Sequence, residues 1–282
     1  MEAKDAVWFI TGASRGLGRA LTHEALAAGY RVVLAVRRPE DVADLVAAFA
    51  DRAMALRLDV TNDAQMHDAV TQATARFDRI DVLVNNAGYG YLGAIEEGED
   101  AAVRALFDTN LFAPVSLIKA VLPAMRARRS GHIVNISSIG GLVTYPGVGY
   151  YNMVKAGVEA LSDALAKEVA ALGIHVTVVA PGAFRTDFRG PESLRIAPLE
   201  IADYAETAGR ARAGTRAGHG LQRGDPAKGA QAIIAAVEAE RPPVHLLIGG
   251  DALDQLRAKL DDLRAETDAW EDVTRGTDFA AA

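Results

Sequence analysis

The sequence contains no cysteine, so disulfides, thiolate nucleophiles and cysteine zinc sites are all excluded. It also lacks any histidine cluster. His23, His67, His132, His175, His219 and His245 are scattered and never fall at the i, i+4 spacing that puts two ligands on one helix face, so no metal site is expected. No early apolar run could matter to a bilayer. Residues 6–10 are far too short to span one and carry neither the charged flank nor the cleavage site of a signal peptide, which predicts a cytoplasmic protein. Basic residues are outnumbered, 30 Lys and Arg against 37 Asp and Glu. The formal net charge of −7 would repel phosphate backbones and anionic membranes, which argues against nucleic acid or a membrane as partner.

What remains is a globular composition: half the 282 residues are hydrophobic and 24% are charged, enough for a packed core in a single domain. Short apolar runs recur at residues 7–11, 31–36, 53–58, 81–85, 132–137, 174–180 and 244–248. They are apolar almost throughout instead of alternating, as strands buried on both faces are. Between them lie stretches of helical period, such as Leu17-Leu21-Ala25-Ala28 and Val158-Leu161-Leu165-Val169. This β, α, β, α succession predicts an α/β fold: one Rossmann-type, doubly wound parallel sheet of about seven strands, with helices on both faces. Residues 1–250 would form this domain and carry both cofactor and substrate sites. The glycine- and arginine-rich stretch at 183–225 is longer than ordinary connections and reads as a substrate lid. Residues 251–282 read as a helical extension in which Asp251 could cap the helix, and Leu253, Leu256, Leu260, Leu263 and Trp270 share one stripe. That stripe suits packing on the chain's own sheet edge or on a second subunit.

Three constellations carry chemistry. The first strand runs into Thr11-Gly12-Ala13-Ser14-Arg15-Gly16-Leu17-Gly18, with a helix starting inside it. Glycines let the backbone turn and approach a pyrophosphate, and the amides and dipole at the helix N-terminus favour its charge. Tyr151 and Lys155 are four apart at the start of a helical stretch, on one face. An ammonium beside a phenol favours phenolate, so the Tyr151 pKa is expected to move down toward working pH, fitting it for general acid–base work. Ser138 follows a strand at the carboxyl edge of the sheet, where a hydroxyl can stabilise charge developing on a substrate oxygen. Taken alone, Tyr151 and Lys155 would read as an ordinary amphipathic pair and Ser138 as a turn serine.

The spacing Thr-Gly-x-x-x-Gly-x-Gly, then Asn85-Asn86-Ala87-Gly88, Asn110, Ser137-Ser138, Tyr151-Asn152-Met153-Val154-Lys155 and Pro181-Gly182, in this order over about residues 5–250, resembles the compact branch of the short-chain dehydrogenase/reductase family. The resemblance implies a catalytic tetrad of Asn110, Ser138, Tyr151 and Lys155, with Asn110 holding a water that passes protons toward Lys155. Asn110 falls in a helical stretch at 100–129, where asparagine is a poor helix former. For the cofactor, the resemblance implies the loop Gly12, Ser14, Arg15, Gly16, Leu17 and Gly18, and Asp59-Val60 at the adenine. It likewise implies Asn86, Ala87 and Gly88 beside the ribose, Pro181-Gly182 after the sixth strand, and Thr186 at the nicotinamide carboxamide. Ala180 departs from the asparagine common before Pro-Gly in the family.

Cofactor choice is a question of charge. The second strand ends Ala35-Val36-Arg37-Arg38, and Arg15 offers a second cation, so Arg37 is expected on the 2′-phosphate and NADP(H) is favoured over NAD(H). The function implied is hydride transfer between nicotinamide and a medium-sized ketone, aldehyde or secondary alcohol, with Tyr151 as general acid/base. The alternatives weighed are a cofactor-sensing regulatory protein on the same fold, an NAD-dependent alcohol dehydrogenase, and a sugar-nucleotide epimerase or dehydratase of the longer family branch. The family's usual pairing, through helices corresponding to 100–129 and 149–172, implies a homodimer, and the added tail helix is expected to obstruct a tetramer.

Overall fold

The computed structural model describes residues 5–279. Its elements in chain order are β1 (Val7–Thr11), α1 (Gly16–Ala27), β2 (Arg31–Val36), α2 (Ala43–Ala48), β3 (Ala53–Arg57), α3 (Asp63–Phe77), β4 (Val82–Asn85), β5 (Gly90–Leu92), α4 (Asp100–Phe107), α5 (Ala113–Arg128), β6 (Gly131–Ile136), α6 (Gly149–Val169), β7 (Ile174–Pro181), β8 (Leu194–Ile196), α7 (Arg210–Ala217), α8 (Pro226–Glu238), β9 (His245–Ile248), α9 (Gly250–Ala269) and α10 (Glu271–Arg275). Seven of the strands form one sheet in the order β3-β2-β1-β4-β6-β7-β9. Every pairing in it is parallel.

The unbroken apolar strands follow from burial on both faces. In β1, Trp8 and Ile10 pack with Leu21 and Leu26 of α1 and Ile233 of α8. Val7 and Phe9 meet Met66 and Phe77 of α3 and Leu117 and Val121 of α5 on the other face. The strand order reverses between β1 and β4, and the carboxyl ends of the strands open there into a crevice.

Two features escape the periodicity. The strands β5 and β8 form a separate parallel pair, each only three residues long, too short to leave a period-2 signal. The helical stretch expected at 100–129 is interrupted by a π-helical turn at Asp108–Phe112, between α4 and α5. By length and composition Asp100–Arg128 could cross a membrane, yet Leu106, Leu117, Ile118, Val121 and Met125 are buried in the core of the fold.

The tail departs from one of the two packings expected for it. Ala252 is buried, but Leu253, Leu260, Leu263 and Trp270 are 40%, 54%, 47% and 62% exposed, so the apolar stripe does not close on the chain's own sheet. Residues 280–282 of the expected extension lie outside the described residues.

The long stretch after β7 is pinned by one buried carboxylate. Glu97 accepts from the amides of Ala94 and Ile201 at 2.7 and 2.9 Å and from both terminal nitrogens of Arg212, in α7, at 2.6 and 3.2 Å. The Arg212 hydrogen bonds, first among the causes, hold the Glu97 carboxyl at about 2. Removing Glu97 would leave the buried Arg212 charge with only the more distant, exposed carboxylate of Glu200, 3.7 Å from its Nε. Glu97→Ala is therefore expected to cost about 3–5 kcal/mol, read as a lowered thermal midpoint or as faster hydrogen exchange over residues 198–217. Because the folded pKa is depressed, the stabilisation is complete above the ordinary value of 4.5 and is lost as pH falls toward 2. Equal exchange in wild type and variant at neutral pH would refute this role for the pair.

Candidate active site

The glycine loop is built around Thr11, the last residue of β1. Its buried hydroxyl donates to the carbonyl of Val84 at 3.2 Å and accepts from the amides of Asn86 and Ala87, both at 3.0 Å. The Asn86 amide group returns hydrogen bonds to the carbonyls of Thr11 and Gly12 at 2.8 and 3.2 Å. Gly12 and Gly16 sit at φ +66° and +57°, in the left-handed region. Helix α1 then starts with no acidic residue in its first turn and no side chain capping its amides. Those donors are left for an anion in the cleft, the arrangement that holds a pyrophosphate.

A cleft of about 930 Å³ runs from this loop along the carboxyl edge of the sheet. All the expected cofactor residues line it: Gly12, Ser14, Arg15, Gly16, Leu17, Gly18, Arg37, Asp59, Val60, Asn86, Ala87, Gly88, Pro181, Gly182 and Thr186. Ser138, Tyr151 and Lys155 line its far end. The long β7-to-α8 stretch contributes Phe184 and Phe188, the latter with its ring 5.9 Å from that of Tyr151.

Residues 6–196 match the short chain dehydrogenase family. A short-chain dehydrogenase from Streptomyces avermitilis is 46% identical in sequence and superposes with a TM-score of 0.92, covering 99% of this chain and 100% of that one. The chain belongs to the short-chain dehydrogenase/reductase family. Oxidoreductase BOA17 of Botryotinia fuckeliana is 37% identical over 95% of this chain and 97% of its own length. A short chain dehydrogenase/reductase of Burkholderia phymatum, solved in complex with NAD, is 25% identical with a TM-score of 0.83 over 94% of this chain and 96% of that one. This short-chain dehydrogenase is thus an oxidoreductase, and its glycine cradle has the room and the donors a nicotinamide dinucleotide needs.

The residues expected to be catalytic sit where the end of β6 meets α6. Ser138 follows β6 and hydrogen-bonds the Tyr151 phenol, while its oxygen also accepts from the amide of Gly140 at 3.0 Å. Lys155, one turn along α6 from Tyr151, is buried, donates to the carbonyl of Ile136 at 2.8 Å and lies 5.8 Å from the Tyr151 ring centre. Asn152, unassigned from the sequence although it lies inside the motif, ties the Ser138 turn to this helix. Its amide donates to the carbonyl of Gly140 at 2.7 Å and accepts from the amide of Tyr145 at 3.2 Å.

Two expectations require correction. The Tyr151 phenol does not move down toward working pH: burial pushes it up to about 12, outweighing the Ser138 hydrogen bond that pulls the other way. Burial also pushes Lys155 down to about 8, against the charge of Glu159. Asn110, buried on the π turn, does not line the cleft. Both ends of its amide are taken by the backbone of Tyr89, accepting from the amide at 3.1 Å and donating to the carbonyl at 2.7 Å. These two bonds fix the side chain on the π turn and leave one N–H and one oxygen lone pair unspent. Asp251 does not cap α9, since its carboxylate instead accepts from the amide of Ala183 at 2.8 Å.

The two arginines expected at the 2′-phosphate differ. Arg15 is engaged across the cleft with Glu192, donating to its carbonyl at 2.5 Å and pairing with its carboxylate at 3.4 Å. Arg37 is exposed and, among the described residues, makes no side-chain hydrogen bond or salt bridge, whereas Arg38 pairs with Asp41 at 3.0 Å. Thr61 hydrogen bonds and, more weakly, the Arg37 charge hold the Asp59 carboxyl below its ordinary value.

Gly18 offers the sharpest test of the cradle, because a Cβ there would stand 2.2 Å from the Asn86 amide nitrogen and 2.5 Å from the Gly12 carbonyl. Gly18→Ala is expected to force those groups apart and weaken dinucleotide binding at least about tenfold, on the scale of one or two lost charge-assisted hydrogen bonds. Titration of reduced-cofactor fluorescence measures it, and an unchanged Kd would show that the loop tolerates opening.

Proposed function

We propose that this enzyme is an NADP(H)-dependent oxidoreductase that transfers a hydride between nicotinamide and a medium-sized ketone, aldehyde or secondary alcohol, with Tyr151 as general acid/base. The observation that carries the reading is the meeting of Ser138, Tyr151 and Lys155 at the far end of a cleft that begins in an anion-binding glycine loop. The cofactor, when bound, supplies or takes the hydride. The chain's own residues handle the proton and the oxygen. Ser138 and Tyr151 offer hydroxyls to one substrate oxygen. With its pKa pushed up by burial, Tyr151 keeps its proton across neutral pH and is a loaded donor for a developing alkoxide, which suits reduction. Lys155, steadied by the Ile136 carbonyl, supplies positive charge behind the phenol. Tyr89 fixes Asn110 on the π turn, where Asn110 would hold the water that passes protons toward Lys155.

Tyr91, Leu92, Phe184, Phe188 and Leu194 line the cleft and support a partly apolar substrate. Residues 183–225 act as its lid, fastened through Arg212 on one side and Glu192 on the other. Exposed Phe112 and Met153, on the helices that follow the family's pairing, support a homodimer. The unpartnered tail stripe is consistent with a further subunit contact or with obstruction of a tetramer. A cytoplasmic location accords with the charge and composition.

Tyr151→Phe keeps the ring and removes the proton, so turnover is expected to fall at least about a hundredfold while NADPH binding survives. Near-full turnover on the best carbonyl would refute the assignment. The free guanidinium of Arg37 supports the phosphorylated cofactor, and Arg37→Asp is expected to invert the preference. Comparing kcat/KM with NADPH and NADH in both proteins reads this directly. A wild type that already prefers NADH would overturn it.

A further inference from the structure

The extension after β9 has so far appeared as an appendage, but its first turn reaches the cleft. Gly249, at φ +100°, bends the chain sharply after β9, and Asp251 and Gln255 then line the cleft beside Tyr145. Gly182 makes the approach possible: a Cβ there would fall 2.2 Å from the Asp251 carboxylate. One oxygen of that carboxylate accepts from the Ala183 amide at 2.8 Å. The Gln255 amide donates to the Asp251 carbonyl at 2.9 Å, and the Tyr145 hydroxyl donates to the Gln255 side-chain carbonyl. Tyr145 is in turn held by Asn152, one residue from Tyr151. Tyr145 thus links the helix of Tyr151 to the tail, its backbone amide bonded to Asn152 and its hydroxyl to Gln255.

The polar valences left over define what this wall can recognise. The second Asp251 oxygen has no donor among the described residues, the Tyr145 oxygen has given its proton away and keeps lone pairs, and one Gln255 N–H is unspent. Acceptors outnumber donors, and the fixed charge is negative. We propose that the first turn of α9 is part of the substrate site, with Tyr145, Asp251 and Gln255 forming an end wall that selects carbonyl substrates carrying a neutral hydroxyl away from the reacting carbon. A hydroxyl both donates to the free acceptors and accepts from Gln255, whereas an alkyl end leaves these groups unpaired and a carboxylate end meets Asp251. This deepens the reductase reading and rests on it.

The test uses the full chain with NADPH and three methyl ketones of equal length, ending in methyl, hydroxyl or carboxylate, over a series of chain lengths. At the best length the wild type is expected to favour the hydroxy ketone over the methyl-ended one by about tenfold in kcat/KM, with the carboxylate poorest. Gln255→Leu and Tyr145→Phe are each expected to reduce the hydroxyl-to-methyl ratio at least about threefold. A merely structural role would lower kcat/KM for both ketones alike and leave the ratio unchanged, which overturns the wall. A wild type that reduces ketones without preferring the hydroxyl at any length overturns the wall and leaves the reductase reading standing. A wild type inactive on every carbonyl tested overturns both.

Discussion

The molecule turns on a staple at the point where its sheet changes direction. Thr11 ends β1, Asn86 follows β4, and four hydrogen bonds join the two strand ends: the amides of Asn86 and Ala87 donate to the Thr11 hydroxyl, and the Asn86 side chain donates to the carbonyls of Thr11 and Gly12. Adjacent parallel strands that feed helices on opposite faces must part at their carboxyl ends. The staple fixes how far they part. It sets the Gly12 turn, leaves Gly18 no room for a side chain, and so determines the width of the cradle in which α1 presents its free amides.

At the other end of the cleft, burial moves the phenol and the ammonium in opposite directions, each toward its neutral form. Desolvation opposes charge on whichever group it covers, so Tyr151 rises and Lys155 falls. The two values part from near coincidence, 10.0 and 10.5, to about 12 and about 8, so moving a proton from the phenol to the neutral amine costs more here than in solution and the phenol keeps its proton. The Ser138 hydroxyl limits the rise of the phenol, and the charge of Glu159 limits the fall of the ammonium.

The sheet was legible in the sequence because two-sided burial writes itself as continuous apolar runs, and β1, β2 and β7 fall within a residue of those runs. The residues lining the cleft were legible because glycine spacing and the Tyr151–Lys155 interval survive as linear patterns. What was not legible depends on contacts between distant segments. The backbone of Tyr89 engages the Asn110 amide, and no pattern in residues 100–129 announces the π turn that brings it there. Arg15 reads as free for a phosphate until Glu192, 177 positions away, is found against it. Asp251 has the look of a helix cap, but its acceptor is spent on Ala183. The direction of the Tyr151 shift belongs to the same class, since it depends on how much of the fold covers the phenol.

The exposed length of α9 also fixes a geometry. From Gln255 to Ala269 the helix rises about 20 Å, at about 1.5 Å per residue, and no residue from Arg257 to Ala269 is buried against the rest of the chain. The helix is thus a built-in spacer, anchored beside the cleft at one end and solvated along the remainder. Its residues from Arg257 to Ala269, all exposed, can therefore be substituted without disturbing the packing of the sheet and its helices.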